Sequence, residues 1–195
     1  DIVSGFTETP EGYNCVLTAI DVFTKWPFAV PLPDHKATTV ARALYQHVLS
    51  IHAMPQLIFS DNAKEFTSEV MVALGKLLNI NTSTTSPYQP QSNGVVERWH
   101  RYLNAALTTM IRKHEKDDWA EYIDAVLFAF RVTENTATGF SPYYLMYGRE
   151  PQLPLDLLLG RNKETFDSEQ SYAHTVAKRL AEAYKHVRTQ QRDTA

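Results

Sequence analysis

The sequence predicts an α/β fold: a mixed sheet whose first strands run antiparallel and whose later strands alternate with helices that cover it. Three observations carry this. Residues 1–32 are β-branched and apolar runs broken by turn residues. From residue 38 onward apolar positions recur at helical spacing, interrupted by two short strand-like runs at 56–60 and 80–86. With 44% hydrophobic and 11% aromatic residues, a chain of 195 residues can bury one core of ordinary domain size, with room for an appendage, and disorder is not the default reading.

In chain order, Asp1-Ile-Val opens a strand, and residues 7–14 form a turn-rich segment punctuated by Pro10 and Gly12. Residues 15–24 are a second strand. Residues 26–32 are a third, and Pro27 and Pro31 suit an edge position. A hairpin turning near 10–12 would set Asp1 opposite Asp21, a like-charge pair that costs energy unless a cation or a hydrogen-bond donor relieves it. Thr38 or Thr39 is the expected cap of a helix with Val40, Leu44, Val48 and Ile51 inward, and Pro55 lies just past its end. Residues 56–60 read as a buried parallel strand ending at Asp61. A helix over 68–78 would face inward with Val70, Leu74, Leu77 and Leu78, and a fifth strand follows at 80–86.

Residues 88–93 form a polar loop, after which Ser92 or Asn93 would cap a long helix reaching about His114. Its apolar stripe is Val96, Trp99, Leu103, Leu107 and Met110, and Glu97 emerges beside that stripe near the helix start. Residues 119–131 are a core helix. Residues 139–148 and 152–159 are a peripheral extension whose leucines at 153–159 are expected to pack on the domain. A last amphipathic helix at 168–192 carries Tyr172, Val176, Leu180, Tyr184 and Val187 at helical spacing. Lys178, Arg179, Lys185 and Arg188 lie between them, as a solvated face, a linker or a phosphate contact. The expected division is therefore a core over 1–160 and a linker with its helix over 161–195.

Net charge is −3, so bulk electrostatics do not announce a nucleic-acid binder, although a site holding several acids starts with a deficit of its own. The single cysteine, Cys15, excludes a disulfide framework and reads as a small buried hydrophobe. The seven histidines show no ligand spacing, and no apolar run reaches the roughly 18–20 residues that span a bilayer. An opening Asp1 without Met reads as a segment of a longer chain, in a soluble, reducing, intracellular setting.

The chemistry-bearing pattern is a pair of acids with 35 residues between them, Asp61 at a strand tip and Glu97 on the first turns of a helix. Such carboxylates can converge on Mg²⁺, a hard cation that takes oxygen ligands. Two ions about 3.5–4 Å apart can activate an attacking oxygen and stabilise a leaving one in phosphoryl transfer. Two carboxylates are too few, and the N-terminal strands offer Asp1 and Asp21 as the third. Glu65 reads as a solvated loop acid and Trp99 as core.

Four stretches then resemble one family: Asp1-Ile-Val-Ser-Gly-Phe, Ala19-Ile-Asp-Val-Phe-Thr-Lys-Trp26, Phe59-Ser-Asp-Asn-Ala-Lys-Glu-Phe66 and Ser86-Pro-Tyr-Gln-Pro-Gln-Ser-Asn-Gly-Val-Val-Glu-Arg98. With Gly139-Phe-Ser-Pro-Tyr-Tyr-Leu-Met-Tyr-Gly148 they are similar to the catalytic core of retroelement integrases, nearest the gypsy-type long-terminal-repeat retrotransposons, over about residues 1–160. The resemblance implies a ribonuclease-H-like fold with a five-stranded mixed sheet, three strands antiparallel and two parallel. It implies the triad Asp1, Asp61 and Glu97 as catalytic metal ligands, with Asp21 a neighbour. It further implies two Mg²⁺ (or Mn²⁺), trimming of element 3′ ends and their transfer into target DNA. A homo-oligomer, a nuclear or virus-like-particle location and flanking N- and C-terminal domains in a parent polyprotein also follow from it. Gln91 and Asn93, in what resembles the family's active-site loop, are candidate DNA contacts, and Arg98 and Arg101 candidate phosphate contacts. A helix cap and ordinary surface arginines are the plainer alternatives. Two departures stand out: Ser4-Gly5-Phe6 where Gly-Pro is usual, and Ala63 where Gly often follows the second acid. A domesticated relative that binds nucleic acid or a partner without catalysis, and a plain ribonuclease-H-like nuclease, are the competing functions.

Overall fold

The computed structural model describes all residues except 62, 85–89, 115–117, 161–164 and 194–195, and within helices and strands it leaves out the side chains of 84, 90–93, 113, 114, 192 and 193. The chain divides into two units, residues 1–20 with 27–127, and residues 21–26 with 128–195.

In the first unit β1 (Ile2–Ser4), β2 (Cys15–Ile20) and β3 (Pro27–Leu32) form an antiparallel sheet in the order β1-β2-β3, so the proline-bearing strand does sit at an edge. The register pairs Ile2 with Leu17 and Ser4 with Cys15. Asp1 therefore faces Thr18, not Asp21 as the hairpin expectation had it. The physical reason is the connection. Gly5 and Gly12 adopt φ of +94° and +86°, and a turn closes from Thr9 to Tyr13, so the strands meet through a folded loop and not a symmetric tight hairpin. Trp119 fastens that loop: its indole N–H donates to Thr7 O at 2.7 Å and its ring stacks on Phe6 at 4.6 Å.

Alternation along β2 buries both faces. Cys15 and Leu17 join a core with Leu32, Val40, Leu44, Leu49, Met71 and Ile80, while Val16 and Thr18 are buried on the face toward α5 (Pro90–His114). Each large apolar side chain buried in this way contributes about 1.5–3 kcal/mol.

The helix predicted to begin near Thr38 does form, as α1 (Ala37–Leu44), continued by a π-helical turn (Tyr45–Leu49) and by α2 (Ser50–His52). The π turn inserts one extra residue and rotates the inward phase. Leu49 is thus buried, and Ile51, expected inside, is 65% exposed. A similar shift occurs in α4 (Glu69–Leu77), capped by the Ser68 hydroxyl: Met71 and Gly75 face the core, whereas Val70 and Leu77 are exposed. Gly75 stands where a Cβ would come within 3.2 Å of Ile80 O, so the small residue lets α4 lie close to the chain that follows.

β4 (Leu57–Ser60) pairs in parallel with β5 (Asn81–Thr84), as predicted, but these two strands make a sheet of their own among the described residues. β4 is also not buried on both faces. Leu57 and Phe59 are about 40% exposed, because β4 alternates between a covered and an open side. The short helix α3 (Lys64–Thr67) follows β4. In α5, Trp99, Leu103 and Leu107 of the predicted stripe are fully buried, while its end members Val96 and Met110 are half-buried.

A 3₁₀ turn (Trp119–Tyr122) leads into α6 (Ile123–Val132), within which the division between units falls. The second unit holds the turn 21–26, α7 (Pro142–Tyr147), α8 (Pro154–Leu158) and α9 (Glu169–Asp193). Ser141 caps α7, its hydroxyl accepting the Tyr144 N–H at 2.9 Å. Gly148 ends it with φ +67°, and a Cβ there would stand 2.8 Å from Val176 Cγ1. Leu145, Ala183 and Val187 form the local core, and the Tyr184 hydroxyl donates to Leu145 O at 2.8 Å. The leucines of α8 do not pack as expected. A helix of five residues carrying leucine on every side cannot cover them all, and Leu158 is 84% exposed. Among the described residues no helix is long and apolar enough to cross a membrane.

Candidate active site

The predicted acids sit on three elements of the first unit. Asp1 is held in line with β1: its backbone nitrogen donates to Thr18 O at 2.9 Å, and the Thr18 N–H donates back to Asp1 O at 2.8 Å. Its carboxylate is partly exposed. Oδ1 accepts the Ile2 N–H at 2.7 Å, and Oδ2 lies 3.5 Å from His100 Nδ1. The other ring nitrogen of His100, Nε2, is 2.6 Å from Thr18 Oγ1, which lies 3.0 Å from Asp1 O.

Asp61 follows the last residue of β4. Its Oδ1 accepts the Ala63 N–H at 3.1 Å, an Asx turn that fixes the carboxylate just before α3 begins. Ala63 has φ −60°, which any residue adopts, so the position does not require the glycine common in the family. Glu97 is exposed on α5, one turn before His100 on the same side of the helix.

Burial holds His100 below its ordinary value, and the charge of Glu97, one turn earlier on the same helix, opposes that shift. Among the described residues, however, no three His, Cys, Asp or Glu side chains stand close enough together to enclose a metal ion.

Other predicted residues fall elsewhere. The Asp21 carboxylate is engaged locally in the second unit, with Oδ2 accepting from the Thr24 N–H at 2.7 Å and the Thr24 hydroxyl at 2.6 Å. It closes the turn 21–26. Glu65 pairs with His35 at 3.5 Å. Gln91 and Asn93 lie within α5, which begins at Pro90, earlier than the predicted caps Ser92 or Asn93; their side chains lie outside the described set. Residues 85–89, most of the predicted loop, also lie outside the described residues. Arg98 and Arg101 are exposed on α5, and the Arg98 guanidinium folds back over Gly94, with Nη1 3.7 Å from where a Cβ would stand. Sequence reasoning missed His100, although the three-residue step from Glu97 to His100 was a readable sign that both share a helix side.

Asp1 before β1, Asp61 after β4 and Glu97 in the third turn of α5 offer hard oxygen donors, the ligand type that divalent cations such as Mg²⁺ take. The described elements define the class as an α/β domain, and the comparisons carry it to a family. Residues 1–90 match the integrase core domain model. The chain is 33% identical over 142 residues to the Gag-Pol polyprotein of feline leukemia virus, covering 73% of this chain and 8% of that polyprotein. It is 27% identical over 188 residues to the retrovirus-related Pol polyprotein from transposon 412 of Drosophila melanogaster, covering 96% of this chain and 15% of that one. In fold it is similar to the HTLV-2 integrase catalytic core domain solved in complex with magnesium in a trimeric form, with a TM-score of 0.61 at 17% identity, covering 73% of this chain and 90% of that one. The chain belongs to the retroelement integrase core family, and it spans under a sixth of the length of these two polyproteins.

Proposed function

We propose that this chain catalyses integration of element DNA, trimming 3′ ends by hydrolysis and then joining each new 3′ hydroxyl to a target phosphodiester. The observation that supports this is the match of residues 1–90 to the integrase core domain, within which Asp1 and Asp61 lie, Asp1 in contact with His100 of α5. The donor set fits Mg²⁺ or Mn²⁺, all three predicted ligands being carboxylates, and the HTLV-2 relative was solved with magnesium. Asp1 Oδ2, Asp61 and Glu97 would hold two ions. When bound, the ions would activate the attacking oxygen and stabilise the leaving one.

The protein's own contribution is positioning. The β ladder and Thr18 fix Asp1, the Asx turn fixes Asp61, and the buried stripe of α5 fixes Glu97. On this reading β4 lies beside β1, so that the five strands act as one mixed sheet. Gln91, Asn93, Arg98 and Arg101 at the start of α5 would contact DNA, the arginines through phosphates. Residues 1–160 would be the core and 161–195 a linker and helix. The protein would act as a homo-oligomer on element ends and target DNA, with flanking domains of a polyprotein, in the nucleus or a virus-like particle.

The test is Mg²⁺-dependent joining of a labelled element-end oligonucleotide to plasmid, with Glu97→Gln alongside. Joining by the parent and none by Glu97→Gln is expected. Equal joining by both would remove Glu97 from the site, and a chain that binds DNA without joining it under any condition would point to a domesticated binding protein.

A further inference from the structure

The basic residues of this chain are not spread evenly. Residues 174–192 carry five lysines and arginines against one acid, Glu182, whereas the rest of the chain carries 14 against 21, a net charge of −7. That basic stretch lies wholly within α9, and the helix sorts it further. At about 3.6 residues per turn, Lys178, Lys185 and Arg188 fall within about 80° of one another, and all three are exposed. The opposite side of α9 is the seam it buries: Ala183 and Val187 pack with Leu145, and Val176 and Leu180 close over Gly148. Burial of that seam therefore turns the basic face outward. The arrangement is unfavourable by itself, because Lys185 and Arg188 are like charges three residues apart. Among the described residues neither Lys178 nor Lys185 has an ion-pair partner, and Arg188 meets the Phe23 ring at 6.0 Å. A helix face that is only solvated interleaves its signs, and this one does so once, with Glu182 at its edge.

We propose that this face of α9 is a contact surface for the phosphates of duplex DNA, with Lys178, Lys185 and Arg188 as the contacting residues. The choice of polymer rests on the integration reading; the surface itself does not. From Lys178 to Arg188 the helix rises about 15 Å, which is about four phosphate steps along one strand. Between those two residues the face holds no Asn, Gln or aromatic side chain, so it meets backbone charge and does not read bases. It also lacks the large apolar residues with which an interfacial helix enters a bilayer, since those of α9 are packed against α7. A polyanion laid along the face removes the like-charge cost and releases its own counterions, which is the source of sequence-independent affinity.

The experiment uses the 195-residue chain and two labelled DNA duplexes of unrelated sequence. Fluorescence anisotropy in EDTA gives affinity as salt rises from about 50 to 200 mM. Four proteins are compared: the parent; Lys178→Gln with Lys185→Gln and Arg188→Gln; Lys178→Arg with Lys185→Arg and Arg188→Lys, which keeps the charge; and a control, Lys36→Gln with Arg42→Gln and Lys76→Gln, which removes three exposed cations of the first unit. Thermal melts followed by circular dichroism confirm that all four are folded. At about 0.9 per phosphate contact, the α9 Gln variant should have a salt slope shallower by about 2–3. The parent then loses about 40-fold more affinity than that variant across the salt range. The charge-keeping variant and the control should retain the parental slope, and the two sequences should bind within about 3-fold of each other. A parental slope in the α9 Gln variant overturns the proposal, as does an equal change in the control or the charge-keeping variant. So does a parent that binds no DNA, or that prefers an RNA duplex or phosphatidylserine vesicles to DNA. Binding in EDTA needs no chemistry, so the expected slopes in a chain that joins no DNA would count against the catalytic reading alone.

Discussion

Thr18→Val removes one oxygen from the centre of the site and little else. Thr18 is 1% exposed, and its hydroxyl lies 2.6 Å from His100 Nε2 and 3.0 Å from Asp1 O. The Asp1 carbonyl keeps the Thr18 N–H at 2.8 Å, so it stays satisfied. The half-buried imidazole loses its partner, which costs about 1–3 kcal/mol. The methyl group that replaces the hydroxyl returns up to about 0.8 kcal/mol of apolar burial. The net is a destabilisation of about 0.2–3 kcal/mol, which at a urea slope of about 1–3 kcal/mol per molar lowers the midpoint by about 0.1–3 M. Far-ultraviolet circular dichroism across a urea series measures it. A midpoint equal to or above that of the parent would refute the reasoning, because the Thr18–His100 contact would then contribute nothing to the docking of α5 on β2.

Two further predictions concern the rest of the chain. Gly148→Ala forces a Cβ into a left-handed position at φ +67° and 2.8 Å from Val176 Cγ1. The backbone term of about 1–2 kcal/mol and the overpacking term of about 1–3 kcal/mol sum to about 2–5 kcal/mol, read as earlier protease cleavage within 128–195. For Cys15, burial first and the charge of Asp34 second raise the thiol above its ordinary 9.0. The folded chain then holds this proton more tightly than the unfolded one, so the contribution is fully present below about pH 9 and is lost as pH rises from there through the folded value. Ellman's reagent at pH 8 should label Cys15 only in urea, and labelling of the folded chain at the unfolded rate would contradict its burial.

The order of elements and the two sheet halves were legible because periodicity is local: the Trp99, Leu103, Leu107 stripe and the parallel pairing of β4 with β5 follow from it. Asp61 and Glu97 were singled out for another reason, their spacing and flanks. What was not legible depended on local departures from regular backbone. The folded loop at 5–14 moved the partner of Asp1 from Asp21 to Thr18, and the π turn at 45–49 exchanged Leu49 for Ile51 in the core. No composition or spacing rule anticipates either, since each replaces one good local pattern by another. The open face of β4 and the exposed α8 leucines show the same limit from the other side, because an apolar run does not say whether anything covers it. His100 was missed because histidines were weighed as metal ligands and not as partners of a carboxylate.

The central claim is that Asp1, not Asp21, completes the acid set with Asp61 and Glu97, and one comparison tests it. Asp1→Asn and Asp21→Asn are each measured for Mg²⁺-dependent strand joining. Asn at position 21 retains an acceptor for the Thr24 N–H and hydroxyl, so the turn 21–26 should survive. The account predicts that Asp1→Asn lowers joining by at least about 100-fold, the upper end of what changes around a metal ligand cost, while Asp21→Asn stays within about 3-fold of the parent. Joining preserved in Asp1→Asn and abolished in Asp21→Asn would contradict it.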